Sequence, residues 1–213
     1  MCYCVAMTTA PAPRTIDLLN HDEAVDMIDG ATIGSRTDAQ RLQGKRNAAL
    51  VAVLFGSGLR LSEALNLRLS DWERGGSKLH VRNGKGGKSR RSKLLNGFAL
   101  VLDEWITERE SLNLPDAAPL FCTLRAGQRR AAGRPLVQPQ VAKMLQRMAA
   151  DAGITGKRVH PHGFRHSHAA YLVERGASLF QIQRQLGHSS AAVTDSYLRH
   201  IGADLLLEGL ESL

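Results

Sequence analysis

Apolar residues recur at helical spacing along most of the chain. Ala24, Met27 and Ile28 follow Asn20 and Glu23, a pair that reads as a capping box with Asn in the Ser/Thr role, so a short first helix is expected up to Gly30. Residues 47–55 are apolar nearly all round, the pattern of a central buried helix, and Gly56-Ser57-Gly58 should stop it. Leu61, Ala64, Leu65 and Leu67 predict a further short helix ending near Ser70-Asp71. The pattern then changes. Residues 78–82 and 89–95 flank Asn83-Gly84-Lys85-Gly86-Gly87-Lys88, a turn rich in residues that tolerate positive φ, which predicts a β-hairpin with a basic tip.

Helical spacing returns with Phe98, Val101, Leu102, Trp105 and Ile106, and again with Val141, Met144, Leu145 and Met148 before Gly153, a C′ candidate. Between them, residues 112–138 hold Pro115, Pro119 and Pro135 and predict a long, mobile loop. From Pro161 three helices are expected: residues 162–175 closed by Gly176, residues 178–186 capped by Ser178 and closed by Gly187, and a third starting at Ser189 or Ser190 and carrying Tyr197. Residues 201–213 form a leucine-rich tail. Trp72 and Trp105 read as core or sheet-packing residues.

Composition narrows the class. The chain has 213 residues, 43% hydrophobic and 23% charged, enough for an ordinary core, which excludes collagen-like, coiled-coil and fully disordered chains. No apolar run approaches the roughly 18–20 residues of a membrane helix. The three cysteines, Cys2, Cys4 and Cys122, make neither a disulfide framework nor a paired zinc site, so a reducing cytosol is expected. The N-terminus lacks the order of a signal peptide, and residues 1–13 read as a disordered extension in which Met7 offers an alternative start.

Charge then points to a partner. With 28 Lys and Arg against 20 Asp and Glu, the formal net charge is +8. Lys85, Lys88, Arg90, Arg91 and Lys93 fall within nine residues free of acid, and Arg125, Arg129, Arg130 and Arg134 make a second such cluster. Both suit phosphate neutralisation, and Lys88, Arg90, Arg91, Lys93, Arg129 and Arg130 are the expected DNA contacts.

Two motif readings fail. A nucleotide-binding P-loop ending at Gly87-Lys88-Ser89 needs glycine at position 82, which is Arg82, and needs a helix where a strand is expected. His160, His162, His166 and His168 crowd nine residues, but no Cys or carboxylate completes a metal set and Arg165 sits among them, so no metal is expected. His162 and Arg165, at i and i+3 near a helix start, suit a phosphate with a proton to move.

Five motifs occur in order: Gly58-Leu59-Arg60-Leu61-Ser62-Glu63, Gly84-Lys85-Gly86, Pro161-His162-Gly163-Phe164-Arg165-His166-Ser167, Leu186-Gly187-His188-Ser189-Ser190, and Tyr197 nine residues beyond His188. Together they resemble the tyrosine recombinase (phage integrase) family over roughly residues 14–200, with residues 201–213 as a separate tail. The resemblance implies an α+β fold, mainly helical, with a small antiparallel sheet built on the hairpin near residues 78–95. It implies a site-specific recombinase or integrase in which Tyr197 attacks the scissile DNA phosphate and forms a 3′-phosphotyrosyl intermediate, without metal, ATP or other cofactor. Arg60 and Arg165 match the phosphate-binding guanidiniums, Lys85 the general acid with Lys88 as its rival, His162 the residue that takes the tyrosine proton or binds phosphate, and His188 a second phosphate donor. Glu63 matches an acidic position one turn after the first arginine, with a supporting role.

Where relatives often carry Arg-x-Val-Pro-Leu after the hairpin lysine, this chain has Arg91-Ser92-Lys93-Leu94-Leu95, which leaves the register of that strand open. About thirteen residues precede Arg14, too few for the N-terminal helical domain of most relatives, which leaves a fragment and a minimal enzyme as alternatives. The implied partners are double-stranded DNA and further copies of the chain: a synaptic tetramer on DNA, a monomer or weak dimer when free, with the leucine-rich tail docked on a neighbour or folded back on its own domain. A bacterial cytoplasm, nucleoid association and a phage or mobile-element origin go with it. The competing functions are type IB topoisomerase-like relaxation and a truncated DNA-binding regulator.

Overall fold

The computed structural model describes residues 18–82, 89–124, 132–157 and 159–187. Lys85, Lys88, Arg129, Arg130, His188, Tyr197, the helix expected after Ser189 and the tail therefore lie outside the described residues.

Seven helices and one small sheet are described. α1 (His21–Asp29) opens with the expected capping box: the Glu23 amide donates to Asn20 Oδ1 at 2.8 Å and the Asn20 amide to Glu23 Oε2 at 2.8 Å. α2 (Asp38–Ser57) is the axis of the fold. Its second half is buried all round, with Leu50, Val51, Val53, Leu54 and Phe55 fully enclosed by α1, α4 and α6. Only that half was legible as a helix; the element begins nine residues earlier, at Asp38, where Thr37 caps it. α3 (Leu61–Leu65) is one turn long, and a separate 3₁₀ turn, Leu69–Asp71, takes up the residues expected to extend it.

The sheet has three antiparallel strands in the order β1 (Trp72–Glu73), β2 (Lys78–Val81), β3 (Arg90–Lys93). The hairpin was expected and β1 was not, since two residues carry no periodicity. The register sets Val81 against Arg90, His80 against Arg91, Leu79 against Ser92 and Lys78 against Lys93. Leu79, Val81 and Ser92 thus face inward while Arg91 and Lys93 face out. α4 (Asn96–Glu110) buries Phe98, Leu102, Trp105 and Ile106 against α2, and Trp72 Nε1 donates to Asp103 of α4 at 2.7 Å, so both tryptophans do pack the core and sheet.

The segment expected to be a loop enters the core. Leu120, Phe121 and Cys122 are fully buried, and Arg109, Trp105 and Arg46 donate to the carbonyls of Ala118, Leu120 and Cys122 at 2.9, 3.1 and 3.0 Å. Three prolines suggested an irregular chain correctly, but irregular backbone is tolerated inside when side chains satisfy its carbonyls. α5 (Gln138–Asp151), α6 (Pro161–Glu174) and α7 (Leu179–Leu186) complete the fold. Ser178 caps α7 with Gln181 as the reciprocal partner, and Gly153, Gly176 and Gly187 take the positive φ expected of closing glycines. Among the described residues no helix is long and apolar enough to cross a membrane.

Candidate active site

Four segments converge: the α2–α3 junction, the base of the hairpin, the start of α6 and the end of α7. α2 stops at Gly58, whose φ of 64° closes the helix in the left-handed region. A Cβ there would lie 2.6 Å from the His168 ring and 2.8 Å from Leu186, so glycine is required for space as well as for φ.

Arg165 sits in α6 beneath this junction and is 1% exposed. Its Nη1 donates to the Gly58 carbonyl and its Nη2 to the Leu186 carbonyl, both at 2.7 Å. Carbonyls at a helix C-terminus lack intrahelical partners and carry the negative end of the helix dipole. One guanidinium therefore caps the ends of α2 and α7 together.

Arg60 is the residue before α3, with its side chain one-third exposed. Glu63, almost fully buried one turn later, accepts the Arg60 amide on Oε2 at 2.9 Å and Arg60 Nη1 on Oε1 at 3.1 Å. Arg90 of β3 grips the same carboxylate from the other side, Nη1 to Oε1 at 2.9 Å and Nη2 to Oε2 at 2.8 Å. Each carboxylate oxygen thus takes one bond from each arginine. Burial alone would raise the Glu63 pKa, but the hydrogen bonds from Arg90 and the Arg60 amide, with the charges of both arginines, outweigh it and hold the group at about 2.

The other side of the hairpin base is gripped likewise: Arg82 Nε donates to the buried Asp71 at 2.5 Å. Gln185 of α7 reads β3 directly. It accepts the Lys93 amide at 3.0 Å, and its Nε2 donates to the Lys93 carbonyl at 2.6 Å and the Ser57 carbonyl at 3.1 Å. The same Nε2 lies 3.3 Å from His168 Nε2. His168 is fully enclosed, and burial first, with the Arg165 charge adding and the Phe55 backbone opposing, lowers its pKa to about 4, so its ring is neutral near pH 7.

α6 starts with His160 as its cap, the ring Nδ1 accepting the Gly163 amide at 3.1 Å. His162 follows in the first turn, exposed, its ring set edge-on to that of His166 with centroids 4.6 Å apart. Partial burial and the charges of Arg165, His160 and Arg60 lower its pKa. These surroundings favour the neutral imidazole, the form that can accept a proton.

Of the expected site residues, Arg60, Glu63, His162 and Arg165 come together. Of the expected DNA contacts, Arg91 is 69% exposed and Lys93 reaches the Gly76 carbonyl from the surface, whereas Arg90 turns inward with its side chain only 16% exposed. Gln185 was not singled out by sequence, and His168 only as one of four histidines weighed for a metal; a polar residue on a short helix gives no signal of the carbonyls it meets.

Comparison with known proteins supplies the context. The model of the phage integrase family matches residues 18–202. The chain is 30% identical over 201 residues to a protein named tyrosine recombinase XerD from Bifidobacterium longum, covering 90% of this chain and 60% of that one. It is 37% identical over 199 residues to the tyrosine recombinase XerD of Caulobacter vibrioides, covering 92% and 60%. The chain thus spans 60% of the length of these two curated relatives. Among solved structures, XerA recombinase superposes with a TM-score of 0.74 at 26% identity, covering 96% of this chain and 65% of that one. The site-specific recombinase XerH, in a post-cleavage complex with palindromic difH substrate, superposes with a TM-score of 0.69 at 27% identity, covering 92% and 53%.

Proposed function

The chain belongs to the phage integrase family, and from that premise we propose that it is a site-specific recombinase that breaks and rejoins DNA through a phosphotyrosyl intermediate. The observation that carries the proposal is the grouping of Arg60, Arg165 and a neutral His162 where the α2–α3 junction meets the start of α6. In the proposed step the Tyr197 hydroxyl gives its proton to His162 and its oxygen bonds to the scissile phosphorus, while the bond to the 5′-oxygen breaks and Lys85 protonates that oxygen. Arg60 and Arg165, with His188, offer donors to the non-bridging oxygens, where charge collects in the transition state. The phosphoester is conserved in energy, so a 5′-hydroxyl from another strand reverses the step without ATP or metal.

Residues 14–200 act as the catalytic domain in this reading, with double-stranded DNA held in part by Arg91 and Lys93 and with further copies of the chain assembling on it, in the bacterial cytoplasm. The names of the relatives support site-specific recombination over simple relaxation. The test is a duplex nicked next to the cleavage point, which traps the covalent intermediate. The wild type is expected to form a protein–DNA adduct and Tyr197→Phe none; equal adduct from both overturns the assignment.

A further inference from the structure

Arg90 lies in a run of basic residues that reads as a phosphate-binding tip, yet its side chain is turned away from solvent. Both terminal nitrogens are committed to Glu63 in a parallel fork, the strongest geometry an arginine and a carboxylate can form. Its Nε is buried and has no hydrogen-bond partner among the described residues. The stem crosses the glycine that ends α7: a Cβ on Gly187 would fall 2.5 Å from Arg90 Nε and 2.6 Å from its Cδ. One side chain therefore touches β3, the carboxylate that holds Arg60, and the residue immediately before His188.

We propose that Arg90 is a positioning residue for strand cleavage: by gripping Glu63 it fixes the Arg60 guanidinium, and it ties that grip to β3, the strand that follows Lys85 in sequence. The proposal rests on the phosphoryl-transfer reading above. Its physical basis is a division of labour on one carboxylate. Glu63 alone, bonded only to Arg60, is a buried acid with half of its acceptor sites unfilled, free to swing with a one-third exposed partner. With Arg90 filling the other half, Glu63 has one orientation, and Arg60 inherits it. The charged groups acting on Glu63 are Arg90 from β3 and Arg60 from the head of its own helix. Lysine delivers one point charge and no fork, so the role is specific to arginine.

The experiment compares wild type, Arg90→Lys, Arg90→Ala, Glu63→Gln and the Glu63→Gln/Arg90→Ala double variant in the full chain. Adduct formation on the nicked duplex is timed at saturating DNA, and DNA affinity is measured separately across salt. Loss of Arg90 is expected to slow adduct formation on the order of 10- to 100-fold, the scale of a misplaced group, with affinity and its salt slope unchanged. Arg90→Lys should recover part of the rate, and the double variant should be no slower than the slower single one. The acid limb of the pH–rate profile should move upward in Arg90→Lys, as Glu63 loses a partner. A carbon-13 titration of the Glu63 carboxylate in Arg90→Lys should show the same upward movement, independently of turnover.

A weaker affinity with a shallower salt slope and an unchanged rate at saturation would make Arg90 a phosphate contact and overturn the proposal. So would a lowered melting temperature with rate and pH profile unmoved, which marks a merely structural residue, or a Glu63 titration unaltered in Arg90→Lys. Failure of the underlying reading looks different: the wild-type chain itself forms no Tyr197 adduct, and the positioning role falls with it.

Discussion

The two arginines of the site are held by opposite means. Arg165 is enclosed and bonded to two main-chain carbonyls at the ends of α2 and α7, so its placement is a property of the backbone and exists only when both helices are in place. Arg60 is one-third exposed and bonded to a carboxylate that a second arginine shares, so its placement is a property of three side chains. The first arrangement couples the placement of a guanidinium to folding. The second leaves an adjustable joint on the same site, one that a single substitution or a proton can loosen without unfolding the domain.

The largest expected contrast comes from removing each arginine. Arg165→Ala leaves the Gly58 and Leu186 carbonyls without their donor, at about 1–3 kcal/mol each, so chemical denaturation should show a loss of about 3–5 kcal/mol along with loss of cleavage. Arg60→Ala should abolish cleavage comparably, by on the order of 10²–10³-fold, while changing stability by less than about 1 kcal/mol, because the Arg90–Glu63 fork survives. Equal stability losses would erase the contrast.

Acid should separate the two regions next. His168, beside Arg165, has its folded pKa lowered from 6.5 to about 4, so protons favour the unfolded chain and stability falls as pH drops through that window. Glu63, beside Arg60, is lowered from 4.5 to about 2, and its contribution is present above 4.5 and lost as pH falls toward 2. Each window is worth on the order of 3 kcal/mol. Denaturation across pH should therefore show two successive losses, the upper removed by His168→Gln and the lower by Glu63→Gln; a single loss removed by neither variant would break the pairing of proton and region.

A smaller effect is expected from Gly58→Ala, where left-handed φ and overpacking against His168 together cost about 2–4 kcal/mol, with Arg165 displaced and Arg60 kept in its carboxylate grip. The smallest is Gln185→Ala, at about 1–2 kcal/mol, read most directly as faster hydrogen exchange at the Lys93 amide.

What the sequence revealed and concealed follows the range of the interactions. The Asn20–Glu23 box and the closing glycines are set by residues within a few positions of each other, and they lie where local chemistry put them, as do the paired strands β2 and β3. The first half of α2 was hidden because Arg41 and Lys45 face outward to Glu108 of α4 and give that stretch no apolar face. The core strip at residues 120–122 was hidden because its Leu120 and Cys122 carbonyls are satisfied by side chains elsewhere in the chain, Trp105 and Arg46, 15 and 76 residues away. In the site, the positions of Arg60, Glu63, His162 and Arg165 were legible from motif order, but the inward turn of Arg90 was not. Its partner lies 27 residues back, and a run of basic residues looks alike whether it faces phosphate or a buried acid.

The hairpin base also determines where this chain tolerates changes in length. Arg82 on the outgoing side and Arg90 on the returning side are both anchored to buried acids, and Gln185 fixes Lys93 beyond them. An inserted or deleted residue between the two arginines leaves both anchors and the alternation of β3 as they are. The same change between Arg90 and Leu94 inverts the alternation of β3, turns Ser92 outward and pulls Arg90 off Glu63. Length variation among functional homologues should therefore be confined to the span between the two anchors, with Lys85 itself kept.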